Sequence, residues 1–179
     1  ESRGLLNLKT TADALPSFIA DKNIALFTKH KIFTEIEIRS RYEILLENYC
    51  KKLRIEALTM CDMASRQILP AISKYSSTLT DTALEKKQLC GSIPCDYETK
   101  TIQALSQCSS DLYASVKKLE RDLEQVQCEE DVAKQATAYK DTVLSDMDAV
   151  RQAADLAEAL TSKEFWPFPT YTDLLYSIL

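Results

Sequence analysis

Apolar residues recur every three or four positions along nearly the whole chain, and that spacing is helical. The clearest run is Ile102, Leu105, Leu112, Val116, Leu119, Leu123 and Val126, an a/d heptad over almost four repeats with one polar interruption at Ser109. It predicts a helix over 97–126, opened by Pro94 and Asp96. A second run, Leu46, Tyr49, Leu53, Ala57, Met60, Ala64, Ile68, Ile72, Tyr75 and Leu79, predicts helix from Thr34 to Lys87. Unbroken, that helix would span roughly 80 Å at about 1.5 Å per residue. Thr34 and Glu37 make a capping box at its start. Lys86-Lys87 and Gly91 read as its stop. Pro70 has no amide donor, so a bend or break is expected there.

A third run predicts a last long helix over 130–163 with an inward stripe of Val132, Ala136, Tyr139, Val143, Met147, Val150, Ala154, Ala157 and Leu160. Glu129-Glu130-Asp131 place negative charge on its first turn, where the helix dipole favours it. Upstream, residues 1–11 read as irregular, ending in a Thr10-Thr11 cap. Helix over 12–30 follows, in one or two pieces, with Leu15, Phe18, Ile19, Ala25 and Leu26 inward. Pro16 fits only a first turn. Downstream, Phe165-Trp166-Pro167-Phe168-Pro169-Thr170-Tyr171 alternates prolines with aromatics and predicts a stiff, extended segment. The short connections near 91–96 and 127–129 make the long helices antiparallel neighbours. The expected fold is all-α: an antiparallel bundle of long helices, with a short N-terminal helical segment and an extended Pro/aromatic C-terminal tail.

Composition narrows the chemistry. Two glycines, Gly4 and Gly91, cannot build a phosphate-cradling loop, and His30 is the single histidine. A carboxylate–histidine metal centre needs Glu-x-x-His pairs that one histidine cannot supply, and no four Cys/His ligands have zinc spacing. His30, flanked by Lys29 and Lys31, reads as a helix C-terminal cation rather than a base. The six cysteines show no CxxC and read as reduced helix residues; Cys90 and Cys95 flank a turn but are not taken as a redox pair. Lys51, Lys52 and Arg54 read as a solvated face rather than an anion site.

The formal charge is −5, unevenly spread. Residues 1–95 carry 14 Lys and Arg against 11 Asp and Glu, a net of +3; residues 96–179 carry 8 against 16, a net of −8. That balance argues against a general nucleic-acid partner, and no run of about 18 apolar residues predicts a membrane span. The chain opens Glu1-Ser2-Arg3, as expected of a processed chain or a piece of a longer one. Phe165, Trp166, Phe168, Tyr171 and Leu174 are the candidate packing or interface residues. The expectation is that they dock on the chain's own body. Trp166→Ala would then cost about 3–5 kcal/mol if the ring is buried.

Residues 4–75, with SRYEILLENY and IEALTM followed by ILPA, and the ending EFWPFPTYTDLL, 164–175, closely resemble the C-terminal region of type III glutamine synthetases. Between 80 and 160 the likeness is to a helical pattern only. The Cys-containing 90–128 segment and the YSIL terminus depart from the family. The resemblance implies that residues 1–50 close the synthetase catalytic domain and that 51–179 form a helical extension ending in the aromatic tail. It implies a full-length ligase that joins ammonia to glutamate with ATP and magnesium, working in the cytoplasm as two stacked hexameric rings. No catalytic, cofactor-binding or metal residue carries over onto this segment. The implied partners are the catalytic domain of the same chain and neighbouring subunits, with no nucleic acid and no membrane. The alternative is a free-standing helical adaptor whose acidic back half binds a basic partner.

Overall fold

A computed structural model describes residues 3–4, 6–169 and 171–176, with backbone alone at 171 and 172. The described residues form helices and no strand: α1 (Thr11–Phe18), α2 (Asp21–Lys29), α3 (Glu35–Met63), α4 (Leu69–Leu89), α5 (Asp96–Gln127), α6 (Val132–Ala138), α7 (Leu144–Leu160) and α8 (Tyr171–Tyr176). π-helical turns at Ala64–Ile68 and Tyr139–Val143 join α3 to α4 and α6 to α7. The chain divides into two compact units: Glu1–Ala57 with Arg121–Ser145, and Leu58–Glu120 with Asp146–Leu179.

The predicted helix starts are made as the sequence dictates. Thr10 caps α1, its Oγ1 accepting from the Asp13 amide at 3.2 Å. The Thr34 amide donates to Glu37 Oε2 at 2.7 Å while the Glu37 amide donates to Thr34 Oγ1 at 3.3 Å, a complete capping box. Asp131, expected with Glu129 and Glu130 on the first turn of the last long helix, is instead the N-cap of α6 and accepts from the Ala133 and Lys134 amides at 2.9 and 3.1 Å. These bonds hold the Glu37 and Asp131 carboxyls below their usual range, because only the ionised form accepts from backbone amides at full strength. Pro16 lies in the second turn of α1 rather than the first. The helix ends two residues later, so little of it remains to be disrupted.

At Pro70 the helix continues. The turn ahead of it widens, with the Leu69 amide reaching back to the Ala64 carbonyl, and backbone angles stay helical from Met63 to Leu69. The wider turn gives the pyrrolidine ring room against the preceding turn, so the helix runs on through a π-turn where a bend or break was expected. Cys50 and Cys61, not Tyr49 and Met60, take the inward positions. The buried set then repeats every eleven residues: Leu46, Ala57, Ile68, Leu79; Cys50, Cys61, Ile72; Leu53, Ala64, Tyr75. Eleven residues in three turns is close to the natural helical period. Helix α5 instead keeps the predicted heptad, with Leu105, Leu112, Val116, Leu119, Leu123 and Val126 all buried.

In the first unit, the break at Ile19 and Ala20 rotates the inward face between α1 and α2. Phe27 packs where Leu26 was expected, against Phe18 and Phe33 with ring centroids 5.8 Å apart in each pair, and Leu26 is exposed. The Arg41 guanidinium sits 4.6 Å from the Phe33 ring centroid. Lys31 closes α2 in the left-handed region at φ 54°, with the Ile32 amide bonded to the Phe27 carbonyl.

In the second unit, α4 and α5 run antiparallel about the turn at 90–95, tied by Lys86–Glu98 at the near end and by Tyr75 and Tyr97 hydroxyls 3.2 Å apart farther along. The Tyr97 hydroxyl bond, then burial, pushes the Tyr75 phenol up to about 12. Ser109, where the heptad is polar, lines a groove of about 370 Å³ together with Ser73, Ser76, Ser106 and Ser110. On α7 the inward positions are Asp146 and Ala153 rather than Met147 and Ala154, and Thr161 rather than Leu160. Asp146 is tolerated there because Lys118 of α5 pairs with it.

Candidate functional site

The aromatic ending was the sequence's strongest pointer to an interaction. The last long helix ends at Leu160, short of the expected 163, and residues 161–169 are non-helical; the segment opens as a turn in which the Ser162 carbonyl accepts from the Phe165 and Trp166 amides at 2.8 and 3.2 Å. Phe165 is half-buried with its ring 5.3 Å from that of Tyr75. Trp166 and Phe168 pack edge to face on one another at 6.3 Å, each half-buried. Helix resumes at Tyr171, whose side chain lies outside the described residues, as does most of the YSIL terminus. Leu174, Leu175 and Tyr176 on α8 are 63%, 76% and 76% exposed. The candidates therefore divide: Phe165 joins the second unit's aromatic cluster, the Trp166–Phe168 pair lies partly open, and Leu174 faces out.

Two carboxylates that sequence periodicity did not single out are buried in the second unit. Glu98 and Asp146 are 5% and 4% exposed, and each meets a lysine from another helix, Lys86 and Lys118. The bond from Lys86 holds the Glu98 carboxyl below its usual range and raises the Lys86 ammonium above its own. These are structural ties between helices. Neither opens onto a described cavity.

The chemistry-bearing residues stay apart. His30 is the exposed C-cap of α2. Among the described residues, no group of three or more His, Cys, Asp or Glu is placed to hold a metal ion. All six cysteines are free. Cys95 is buried and directs its thiol to the Ala83 and Ile93 carbonyls, whereas Cys90 is exposed and lies 3.0 Å from the Ser92 hydroxyl. Burial pushes the Cys61 thiol up to about 11. No described helix is long and apolar enough to cross a membrane.

The basic cluster of α3 is split by the fold. Lys51 and Arg54 line a cleft of about 460 Å³ in the first unit with Cys50, Gln127, Gln135 and Tyr139, and Lys52 is not among its walls. Lys51 pairs with Glu47 at 2.8 Å. The Gln127 amide, oriented with its oxygen toward Arg54, accepts from Nη1 and Nη2 at 2.9 and 2.7 Å and also from Nε. Lys51 and Arg54 were visible as a charged patch. Gln127 and Gln135 lie more than seventy positions downstream and carry no signal of their own.

Residues 1–87 match the family model described as the glutamine synthetase C-terminal domain. The chain is 39% identical over 176 residues to a glutamine synthetase of Butyrivibrio fibrisolvens, covering 98% of this chain and 25% of that protein. Over residues 1–87 the chain belongs to the glutamine synthetase C-terminal domain family. It is also 29% identical over 181 residues to the type-3 glutamine synthetase of Dictyostelium discoideum, and 27% identical over 179 residues to a glutamine synthetase of Bacteroides fragilis strain YCH46. Both alignments cover 98% of the chain, which spans about a quarter of the length of these curated relatives. The likeness therefore extends through the middle of this glutamine synthetase segment, where only a shared helical pattern was expected.

Proposed function

We propose that this chain is the C-terminal helical part of a type III glutamine synthetase, a cytoplasmic ligase that joins ammonia to glutamate with ATP and magnesium. The observation that carries this reading is alignment along 98% of the chain to proteins named glutamine synthetase, of which it matches one quarter. The segment itself is non-catalytic. Residues 1–50 close the catalytic domain and 51–179 form an extension that packs on that domain and on neighbouring subunits of a dodecamer. The expected boundary falls inside α3, so a single rigid helix would join the two parts. Trp166, Phe168 and Tyr171, with Leu174, supply the apolar contacts that fasten the extension, since rings left partly in water gain most from a partner surface.

The natural product should be a polypeptide of about 700 residues, as the aligned 176 residues are 25% of the Butyrivibrio relative. Incubated with glutamate, ammonia, ATP and magnesium, the 179-residue chain should form no glutamine, and turnover above background would overturn the non-catalytic reading. In the full-length enzyme, Trp166→Ala should shift sedimentation from dodecamer toward smaller species. Unchanged assembly would remove the tail from the oligomer contacts.

A further inference from the structure

The cleft of the first unit holds a cation with no anion. Arg54 projects from α3 into a space walled by Gln127 at the end of α5, Gln135 on α6 and Tyr139 at the head of the π-turn. Among the described residues no carboxylate lies within 4 Å of its guanidinium; the partner is the neutral amide oxygen of Gln127. A neutral acceptor orients the guanidinium without neutralising it. Acidic side chains do occur nearby in sequence, at 129–131, but two are spent on the helix start: Glu129 accepts from the Asp131 amide and Asp131 from those of Ala133 and Lys134. Gln135 is likewise held, its Nε2 donating to the Val126 and Glu129 carbonyls at 3.3 and 3.4 Å.

A second observation comes from the backbone. The helix that forms the far wall widens into a π-turn beginning at Tyr139, which is 2% exposed and lines the cleft. No proline follows this turn to account for it, unlike the one before Pro70. Such single widened turns are frequent at functional sites. The volume of about 460 Å³ suits a small metabolite.

We infer that this cleft binds a small oxyanion, a carboxylate or phosphate group gripped by the Arg54 guanidinium with Lys51 at the rim. The planar fork of Arg54 matches both oxyanions once it exchanges the neutral Gln127 oxygen for the ligand, and Lys51 likewise exchanges its exposed Glu47 partner.

Calorimetric titration of the full chain with inorganic phosphate and with citrate, against sodium chloride at matched ionic strength, tests this. At least one anion should bind saturably at one site. Arg54→Gln should weaken it about tenfold, the scale of one lost charge-assisted pair, and Lys51→Gln about threefold. Saturation by phosphate alone assigns a phosphate ester, by citrate alone a carboxylate, by both an oxyanion in general. No saturation beyond the chloride baseline, or unaltered affinity in Arg54→Gln, overturns the inference. Should Arg54→Gln lose its helical circular dichroism, the exposed Lys51→Gln decides alone: weakened binding supports the site and unchanged binding overturns it.

Discussion

The two units differ in how deeply they bury charge. In the second, the buried carboxylates of Glu98 and Asp146 each meet a lysine from a different helix, so charge is consumed in holding helices together. In the first, Glu37 and Asp131 are used locally to cap helices, and a half-buried pair, Asp13 with Lys140 at 2.9 Å, ties α1 to the turn after α6. Arg54 is left with an amide beside an open cleft. Matched charge inside helix packing marks structure, and unmatched charge at a cavity marks a place for something else.

The contrast can be broken at several points. Leu119 is fully buried on the heptad face of α5, and Leu119→Ala should cost about 3 kcal/mol in urea unfolding, with hydrogen exchange rising across the second unit. A loss below about 1 kcal/mol would mean this face is not a packed core. Lys118→Met leaves the Asp146 carboxylate buried beside an apolar chain and should cost about 2 kcal/mol, moderated because the lysine is half exposed. Restored stability in Lys118→Met with Asp146→Leu would identify the pair as an internal tie that apolar packing can replace. Thr34→Ala removes one side of the capping box and should cost about 1 kcal/mol, with faster exchange confined to the start of α3.

The smallest effect is also the most specific. Glu98 is held below its ordinary 4.5 and Lys86 above its ordinary 10.5, so their pairing stabilises the fold while both are charged. The carboxylate's share is present above 4.5 and lost as pH falls through its lowered folded value. The ammonium's share is present below 10.5 and lost as pH rises through its raised folded value. The stability gap between wild type and Glu98→Gln should therefore be widest near neutrality and close at both extremes. A gap that does not vary with pH would show that the glutamine loses packing rather than charge.

Much of this was legible beforehand, for local reasons. The Thr34–Glu37 box, the Thr10 cap and the α5 heptad depend on residues within a turn or two, so propensity and spacing suffice. The misses share a different cause. Pro70 was read as a bend or break, with nothing to choose between them, because the compensating π-turn is a backbone adjustment without a residue signature. Asp146 was passed over for Met147 because an apolar stripe assigns the next apolar residue, while Lys118, 28 positions away, makes the carboxylate acceptable inside. Leu26 was preferred to Phe27 because the stripe was carried through a break that rotated it.

By itself the sequence determined that this protein is helical, where its helices begin, that a proline-aromatic segment ends the bundle, and which family it resembles. Each of these rests on short-range periodicity, capping chemistry or residue strings. Only the tertiary structure decided the inward phase of α2, α3 and α7, which lysine answers which buried acid, and that Arg54 meets Gln127 at a cleft. Those outcomes depend on partners tens of residues apart. A one-residue change in helical phase turns a side chain by about 100°, so pairing distant faces fixes what local pattern leaves open.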